Sequence, residues 1–320
     1  MFRIGVDLGG TNIVVGLVDE GYNIVEKASL PTLRERHGDL IVADIATLCK
    51  EVCDKHGIAL SDVSAIGIAS PGIANSETGV VEYANNLHFK NFPIAAKLSA
   101  LLDGFENVNL ANDANAAAWG EAVAGAAKGS RSSIMITLGT GVGGGIVIDG
   151  KILAGFNFAG GELGHIVIKH NGRPCSCVRN GCWEAYSSAT ALVNMTNEKL
   201  AECRERGIES KMSAIAAERG KINGRTAFDA ARLGDAPAQE VVDEYIDYLA
   251  CGIANIINIF QPEVLSIGGG ISNEGQSLVD ALLPIVRREQ YGTNLELVTD
   301  IRIARLGNDA GIVGAALLGK

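Results

Sequence analysis

Three cysteines fall within eight residues, Cys175, Cys177 and Cys182, and His165 stands a short way ahead of them. Three thiols and one imidazole are the donors of a closed tetrahedral Cys3His zinc site, a type that holds loops together. His170 is a rival fourth donor, and free thiols are the competing reading. Two glycine-rich turns offer a different chemistry. Asp7 ends an apolar stretch at the mouth of Leu8-Gly9-Gly10-Thr11-Asn12, and Leu138-Gly139-Thr140-Gly141-Val142-Gly143-Gly144-Gly145 supplies the second turn. Backbone N–H groups and hydroxyls in such turns cradle phosphate oxygens without a lysine. A carboxylate at Asp7 could hold Mg²⁺ through water, or it could simply cap the turn. In Ala111-Asn112-Asp113-Ala114, Asn or Asp before an alanine run is an N-cap signal. A carboxylate at a strand-to-helix junction beside a phosphate site is also where a base meets a substrate hydroxyl.

The elements that must position these groups follow from periodicity. Phe2 to Asp7 reads as a strand, Ile13 to Val18 as a second, and Asp19-Glu20-Gly21 as the next hairpin turn. The segment from Ile134 to Gly150 repeats that plan at an offset of 130, with Leu8 on Leu138, Gly9 on Gly139, Val18 on Ile148 and Asp19 on Asp149. A repeated strand, turn, strand unit predicts two similar α/β domains facing each other across a cleft. Gly139 to Gly144 formally matches G-x-G-x-x-G, but a strand pattern follows it where a dinucleotide site requires a helix. Helices are predicted at 39–56, 94–102, 189–206, 226–233 and 236–260 and from about Ala310, with strands at 65–69, 107–110, 264–267 and 300–304. The domain switch is placed near Trp119, giving one lobe of residues 1–118 plus 304–320 and a larger lobe of 119–303 that carries the thiol cluster.

Composition excludes several classes. The chain has 320 residues, 47% hydrophobic and 20% charged, with 40 glycines, and its length sets a prior of two domains. A formal net charge of −10 and the lack of basic runs argue against a nucleic-acid surface. The longest uncharged run, Ser132 to Ile148, is interrupted by glycines and falls short of a membrane span. Seven cysteines is an odd number, unlike a fully paired secreted framework, so a cytoplasmic protein is expected. Cys49 and Cys53, at helical spacing, are expected to be small buried apolar groups.

Taken in order, these motifs, together with Ser70-Pro71-Gly72, Gly161-Glu162-Leu163-Gly164-His165, Glu184 and Gly268-Gly269-Gly270, resemble the ROK family of sugar kinases across nearly the whole chain. The likeness is greatest to the family's bacterial glucokinases. It implies a two-lobed, actin-like (ribonuclease H-like) ATPase fold with a duplicated mixed-sheet core, and ATP-dependent phosphorylation of the 6-hydroxyl of a hexose, glucose first. It also implies that Asp113 is the general base and that Asn112, Glu162, His165 and Glu184 contact the sugar, with Asn86 and Gly72 as lesser contacts. Asp7, Gly9, Gly10, Thr11, Asn12, Thr140 and Gly141 would hold Mg·ATP phosphates, and Gly269 and Gly270 the adenosine. His165, Cys175, Cys177 and Cys182 would hold a structural Zn²⁺. A cytoplasmic homodimer acting in glycolysis is the family expectation. Other sugars (N-acetylmannosamine, N-acetylglucosamine, fructose, allose), polyphosphate as donor, and a non-catalytic sugar-sensing regulator are the alternatives. A regulator's N-terminal helix-turn-helix would have to precede a phosphate loop that already begins at Asp7. One position departs from the family pattern: Val178 stands where glycine is usual, at a point of the loop whose backbone conformation valine disfavours.

Overall fold

The protein is described by a computed structural model covering residues 1–292 and 294–319. Strands β1 (Phe2–Leu8) and β2 (Asn12–Val18) form a hairpin around the first glycine turn, and β3 (Ile24–Pro31) follows the turn at Asp19. Helix α1 (Gly38–His56) buries Ile41, Val42, Ile45, Leu48, Cys49, Val52 and Cys53, which recur on one helical face. The His37 side chain caps its start, and Gly57 ends it in the left-handed conformation. Burial pushes the Cys49 thiol well above its ordinary pKa, so this cysteine is an inert core residue. Next come β4 (Val63–Ser70), a small antiparallel sheet of β5 (Ile73–Asn75), β6 (Val80–Ala84) and β7 (Phe89–Phe92), then α2 (Ile94–Leu101), β8 (Val108–Asn112) and α3 (Asp113–Val123).

The plan then repeats. Strands β9 (Ser132–Leu138) and β10 (Val142–Ile148) have the bounds of β1 and β2 displaced by 130 residues, and β11 (Lys151–Ile152) follows. Helices α4 (Glu184–Ser187), α5 (Ala189–Glu205), α6 (Lys211–Arg219), α7 (Thr226–Arg232) and α8 (Ala236–Phe260) precede β12 (Val264–Gly268), α9 (Gln276–Glu289), β13 (Asp300–Ile303) and α10 (Ala310–Ala316). The first large sheet is ordered β3-β2-β1-β4-β8 and the second β11-β10-β9-β12-β13, the same arrangement strand for strand. In each, a hairpin-linked antiparallel edge is continued by parallel strands. The strand β10, directly after Gly139 to Gly141, removes the dinucleotide reading of that glycine run.

Two compact units result. The first comprises residues 1–135, 145–161 and the chain from Ala304; the second comprises 136–144 and 162–303. The division after Met135, and not near Trp119, follows from what α3 touches. Its buried Glu121 accepts hydrogen bonds from the backbone N–H groups of Ala126 (2.6 Å), Arg305 (3.1 Å) and Leu306 (2.6 Å), which ties α3 to the approach of α10. Across the first sheet, Gly16, Gly5 and Gly67 stand side by side in register on one face, flanked by Lys27 on β3. Helix α10 lies on this bare row: a Cβ at Gly5 would come within 1.9 Å of the Ile312 carbonyl oxygen, and one at Gly67 within 1.8 Å of that of Ala315. Any side chain in the row would lift the helix off the sheet. In the second unit Trp183, fully buried, lies against α8 where Gly252 leaves room, and its indole N–H donates to the Tyr248 carbonyl at 3.1 Å. No helix among the described residues is long and apolar enough to cross a membrane.

Candidate functional site

In the first unit, the turn between β1 and β2 is closed by the Gly9 N–H to Asn12 carbonyl bond (2.9 Å). It is pinned from behind by Thr32, fully buried, whose hydroxyl donates to the Gly9 carbonyl (2.6 Å) and whose N–H donates to that of Thr11 (2.8 Å). A cavity of about 430 Å³ opens in front of the turn, lined by Asp7, residues 9–12, Lys27 and Asn308 among others. Asn86 stands at the same turn, its amide nitrogen 3.4 Å from where a Cβ on Gly10 would lie.

Asp7 has its pKa raised to about 6, first by burial, then by the negative charges of Asp113 and Asp309, with Lys27 opposing. The negative charge of Asp7, Asp113 and Asp309 is only partly offset by Lys27, and a divalent cation would relieve the rest, so the surroundings of Asp7 fit Mg²⁺. Asp113 is the first residue of α3. Its side chain remains accessible to solvent, yet the surrounding protein desolvates it enough to raise its pKa, against an opposing hydrogen bond from the Ala114 N–H (2.8 Å). Asn112 caps α3, accepting from the N–H groups of Ala114 (3.0 Å) and Asn115 (3.2 Å), while its amide nitrogen donates to the Gly72 carbonyl (3.1 Å). Gly72 has φ +87°, and a Cβ there would come within 2.1 Å of the Tyr83 carbonyl oxygen, so only glycine fits between β4 and β6.

The second unit assembles the other predicted residues. His165, Cys175, Cys177 and Cys182 offer ligand atoms that all lie within 4.8 Å of one another. The Cys177 and Cys182 sulfurs are 3.6 Å apart, and Cys175 Sγ is 3.7 Å from His165 Nδ1. Sulfurs at ~2.3 Å and nitrogens at ~2.0 Å from a tetrahedral ion stand about 3.5–3.8 Å from one another, so the donors fit one metal ion. A disulfide would need ~2.05 Å. The Arg179 N–H holds the Cys177 thiol below its ordinary pKa, whereas burial pushes Cys182 up to about 12, so a thiolate at Cys182 needs a neighbouring cation. Glu184, at the start of α4, follows Cys182 and the anchored Trp183. One of its oxygens accepts from the Val142 N–H at 2.9 Å, and the other lies 3.4 Å from the Ser176 hydroxyl. It therefore links the thiol loop to the second glycine turn, which α5 also pins through bonds from the Ala189 N–H to the Gly139 carbonyl and from the Thr190 hydroxyl to that of Thr140, both 2.8 Å. Glu162 is exposed, at the head of the short turn 163–165 that carries His165. A Cβ at Gly269 would come within 2.5 Å of the Leu138 carbonyl oxygen, whereas Gly270 has open space beside it.

Val178 adopts φ +67° and is 96% exposed. A β-branched residue there costs about 1–2 kcal/mol of backbone strain with no packing in return. Val178→Gly should therefore stabilise the protein by about 0.5–1 kcal/mol after the entropy cost of glycine, read as a thermal midpoint raised by about 1–3 °C. A lowered midpoint would show that the loop does not need this conformation.

Residues Asn112, Asp113, Asn86, Gly72 and the first glycine turn thus belong to the first unit, and Glu162, His165, Glu184, Thr140, Gly141, Gly269 and Gly270 to the second. Sequence reading missed Lys27, Thr32, Asn308 and Asp309. Lys27 was recoverable in principle, since the turn at Asp19 sets the β2 to β3 register and places it opposite Gly16; Asn308 and Asp309 needed the position of α10.

Duplicated mixed sheets with glycine turns at their strand ends define a protein of the actin-like ATPase fold, the class of sugar-phosphorylating enzymes among its structural relatives. The chain belongs to the ROK family, whose model matches residues 3–320. It is 39% identical to the glucokinase of Halalkalibacterium halodurans over 321 residues, covering 99% of this chain and 94% of that one. It is 37% identical to the glucokinase of Streptomyces coelicolor over 317 residues, covering 99% and 97%. The crystal structure of a ROK family glucokinase from Streptomyces griseus in complex with glucose and AMPPNP superposes with a TM-score of 0.80 at 33% identity, covering 99% of this chain and 98% of that one.

Proposed function

We propose that the protein phosphorylates the 6-hydroxyl of glucose with ATP, giving glucose 6-phosphate and ADP. The observation that carries the reading is the placement of Asp113 in the unit that holds the Asp7 turn, close enough for its charge to bear on Asp7. Full-length likeness to glucokinases supports the sugar and the donor. Asp113 accepts the 6-hydroxyl proton as that oxygen attacks the γ-phosphorus; the bond from γ-phosphorus to the β,γ-bridging oxygen breaks, and ADP leaves with that electron pair. A carboxylate whose pKa is raised above its ordinary value is a better base than an unperturbed one, provided it is ionised at the working pH. The backbone N–H groups of residues 10–12 and 140–141 bind phosphate oxygens, while Gly9 holds the first turn closed, and Gly269 and Gly270 let adenosine approach the backbone.

Asn112, Glu162, His165 and Glu184 orient the sugar, with Asn86 and Gly72 at its margin. Carboxylates suit this task because each oxygen accepts from neighbouring hydroxyls. Asp7 is the carboxylate for Mg²⁺, which when bound supplies charge neutralisation for the phosphates. The thiol-rich donor set of His165, Cys175, Cys177 and Cys182 favours Zn²⁺ and gives it a structural role. A cytoplasmic homodimer feeding glycolysis belongs to the same reading. A coupled assay for ADP release, with Mg·ATP and a panel of hexoses and N-acetylhexosamines, tests it. Glucose should give the highest kcat/KM, and absence of sugar-dependent ADP release across the panel would refute the kinase reading.

A further inference from the structure

The glycine turn that faces the phosphates carries no cation, yet its cavity has one. Among the described residues lining it, Lys27 is the single positively charged side chain. It arrives from β3, two strands from Asp7. Lys27 pairs with Gly16, over which Ile312 of α10 sits, so the lysine stands at the edge of the face that α10 covers and lines the cavity together with Ile312. Asp7 lies one row further along on the same face. The Lys27 ammonium is ion-paired with Asp309, and both side chains keep nearly half of their surface exposed. Such a pair contributes little, so its partner can be exchanged at small cost.

A nucleoside triphosphate entering this cavity brings several negative charges to a place already surrounded by Asp7, Asp309 and Asp113. One Mg²⁺ offsets only part of that repulsion. We infer that Lys27 is a nucleotide-binding residue, held by Asp309 in the free protein and transferred to a phosphate oxygen when Mg·ATP binds. This rests on the kinase reading of the same site and adds to it a positive charge that lies outside every glycine motif. Lysine acts here as a point charge on a flexible stem, a role that asks for reach more than for fixed geometry.

The test is calorimetric titration of the full-length wild type, Lys27→Met, Lys27→Arg and Asp309→Asn with Mg·AMPPNP, alongside sugar titration. Lys27→Met should weaken nucleotide binding about tenfold, with sugar affinity unchanged within about twofold, and Lys27→Arg should restore most of the loss. Asp309→Asn should bind nucleotide as tightly as wild type or up to about threefold tighter, because it frees the lysine and removes a repelling charge. Nucleotide binding by Lys27→Met within about twofold of wild type would overturn the assignment. So would equal weakening in Lys27→Met and Asp309→Asn, which would mean that only the ion pair matters. Failure of the wild type to bind Mg·AMPPNP at all would instead remove the kinase reading itself.

Discussion

Asp113→Asn should lower kcat by about 10²–10⁴-fold while changing the affinities for sugar and nucleotide by no more than about twofold. The substitution keeps the shape of the side chain and an oxygen able to accept from the Ala114 N–H, so the start of α3 should persist. It also leaves the Asn112 cap in place. Lost is the capacity to take up a proton. Because burial raises the pKa of Asp113, the wild-type rate should fall as pH drops through that raised value and the base becomes protonated. This acidic limb should be missing from the residual activity of the variant. Steady-state kinetics over a pH series that extends down into the ordinary carboxylate range, with calorimetry for both ligands, reads each point. Turnover close to wild type would exclude Asp113 as the base.

The second large effect concerns the thiol cluster. Freshly purified protein should contain about one zinc per chain, and Cys177→Ser or a strong chelator should lower its thermal midpoint by 10 °C or more, on the order of several kcal/mol. Site formation in zinc peptides is worth roughly 10–16 kcal/mol; the loop from 165 to 182 keeps backbone bonds of its own, such as Cys175 N–H to the Arg179 carbonyl and Gly181 N–H to the Arg173 carbonyl (both 2.8 Å), so only part of that should be lost. The loss should be uneven. Sugar affinity should suffer more than nucleotide affinity, because His165 and Glu184 are held by this loop whereas the Asp7 cavity belongs to the other unit. Metal analysis shows the ion, scanning calorimetry the stability, and titration with glucose and Mg·AMPPNP the asymmetry. Metal-free protein with an unchanged midpoint and unchanged glucose affinity would refute a structural metal at these four residues.

Much of the frame was legible in the sequence because its signals are local. The hairpin repeat was readable from alternating apolar residues and glycine turns, and its offset reappears in the bounds of β1, β2, β9 and β10. Helix α8 has the predicted bounds, since its apolar spacing runs without interruption from Ala236 to Phe260. Helix α9 escaped because Pro284 sits inside it, a residue that ordinarily argues for a break. The small sheet of β5, β6 and β7 escaped because its strands are only three to five residues long. At the site, the strain at Val178 was readable as a residue type out of place, and its left-handed backbone agrees. The register set by the turn at Asp19 places Lys27 opposite Gly16, but that this position borders the Asp7 cavity was not readable, because the cavity is completed by Asn308 and Ile312 from the distant end of the chain. Glu121 likewise looks like an ordinary helix residue until the N–H groups of Arg305 and Leu306 are seen to converge on it.

The row of Gly67, Gly5 and Gly16 has a consequence for how the molecule is made. Its strands leave the ribosome early, but α10, the helix that rests on them, is translated only after the entire second unit. Until then the nascent sheet is exposed on that face, and the cavity beside Asp7 lacks Asn308 and Ile312. The first unit, although its sheet is made first, therefore cannot close that face until the chain through α10 has been synthesised, so it does not mature as an independent N-terminal domain would.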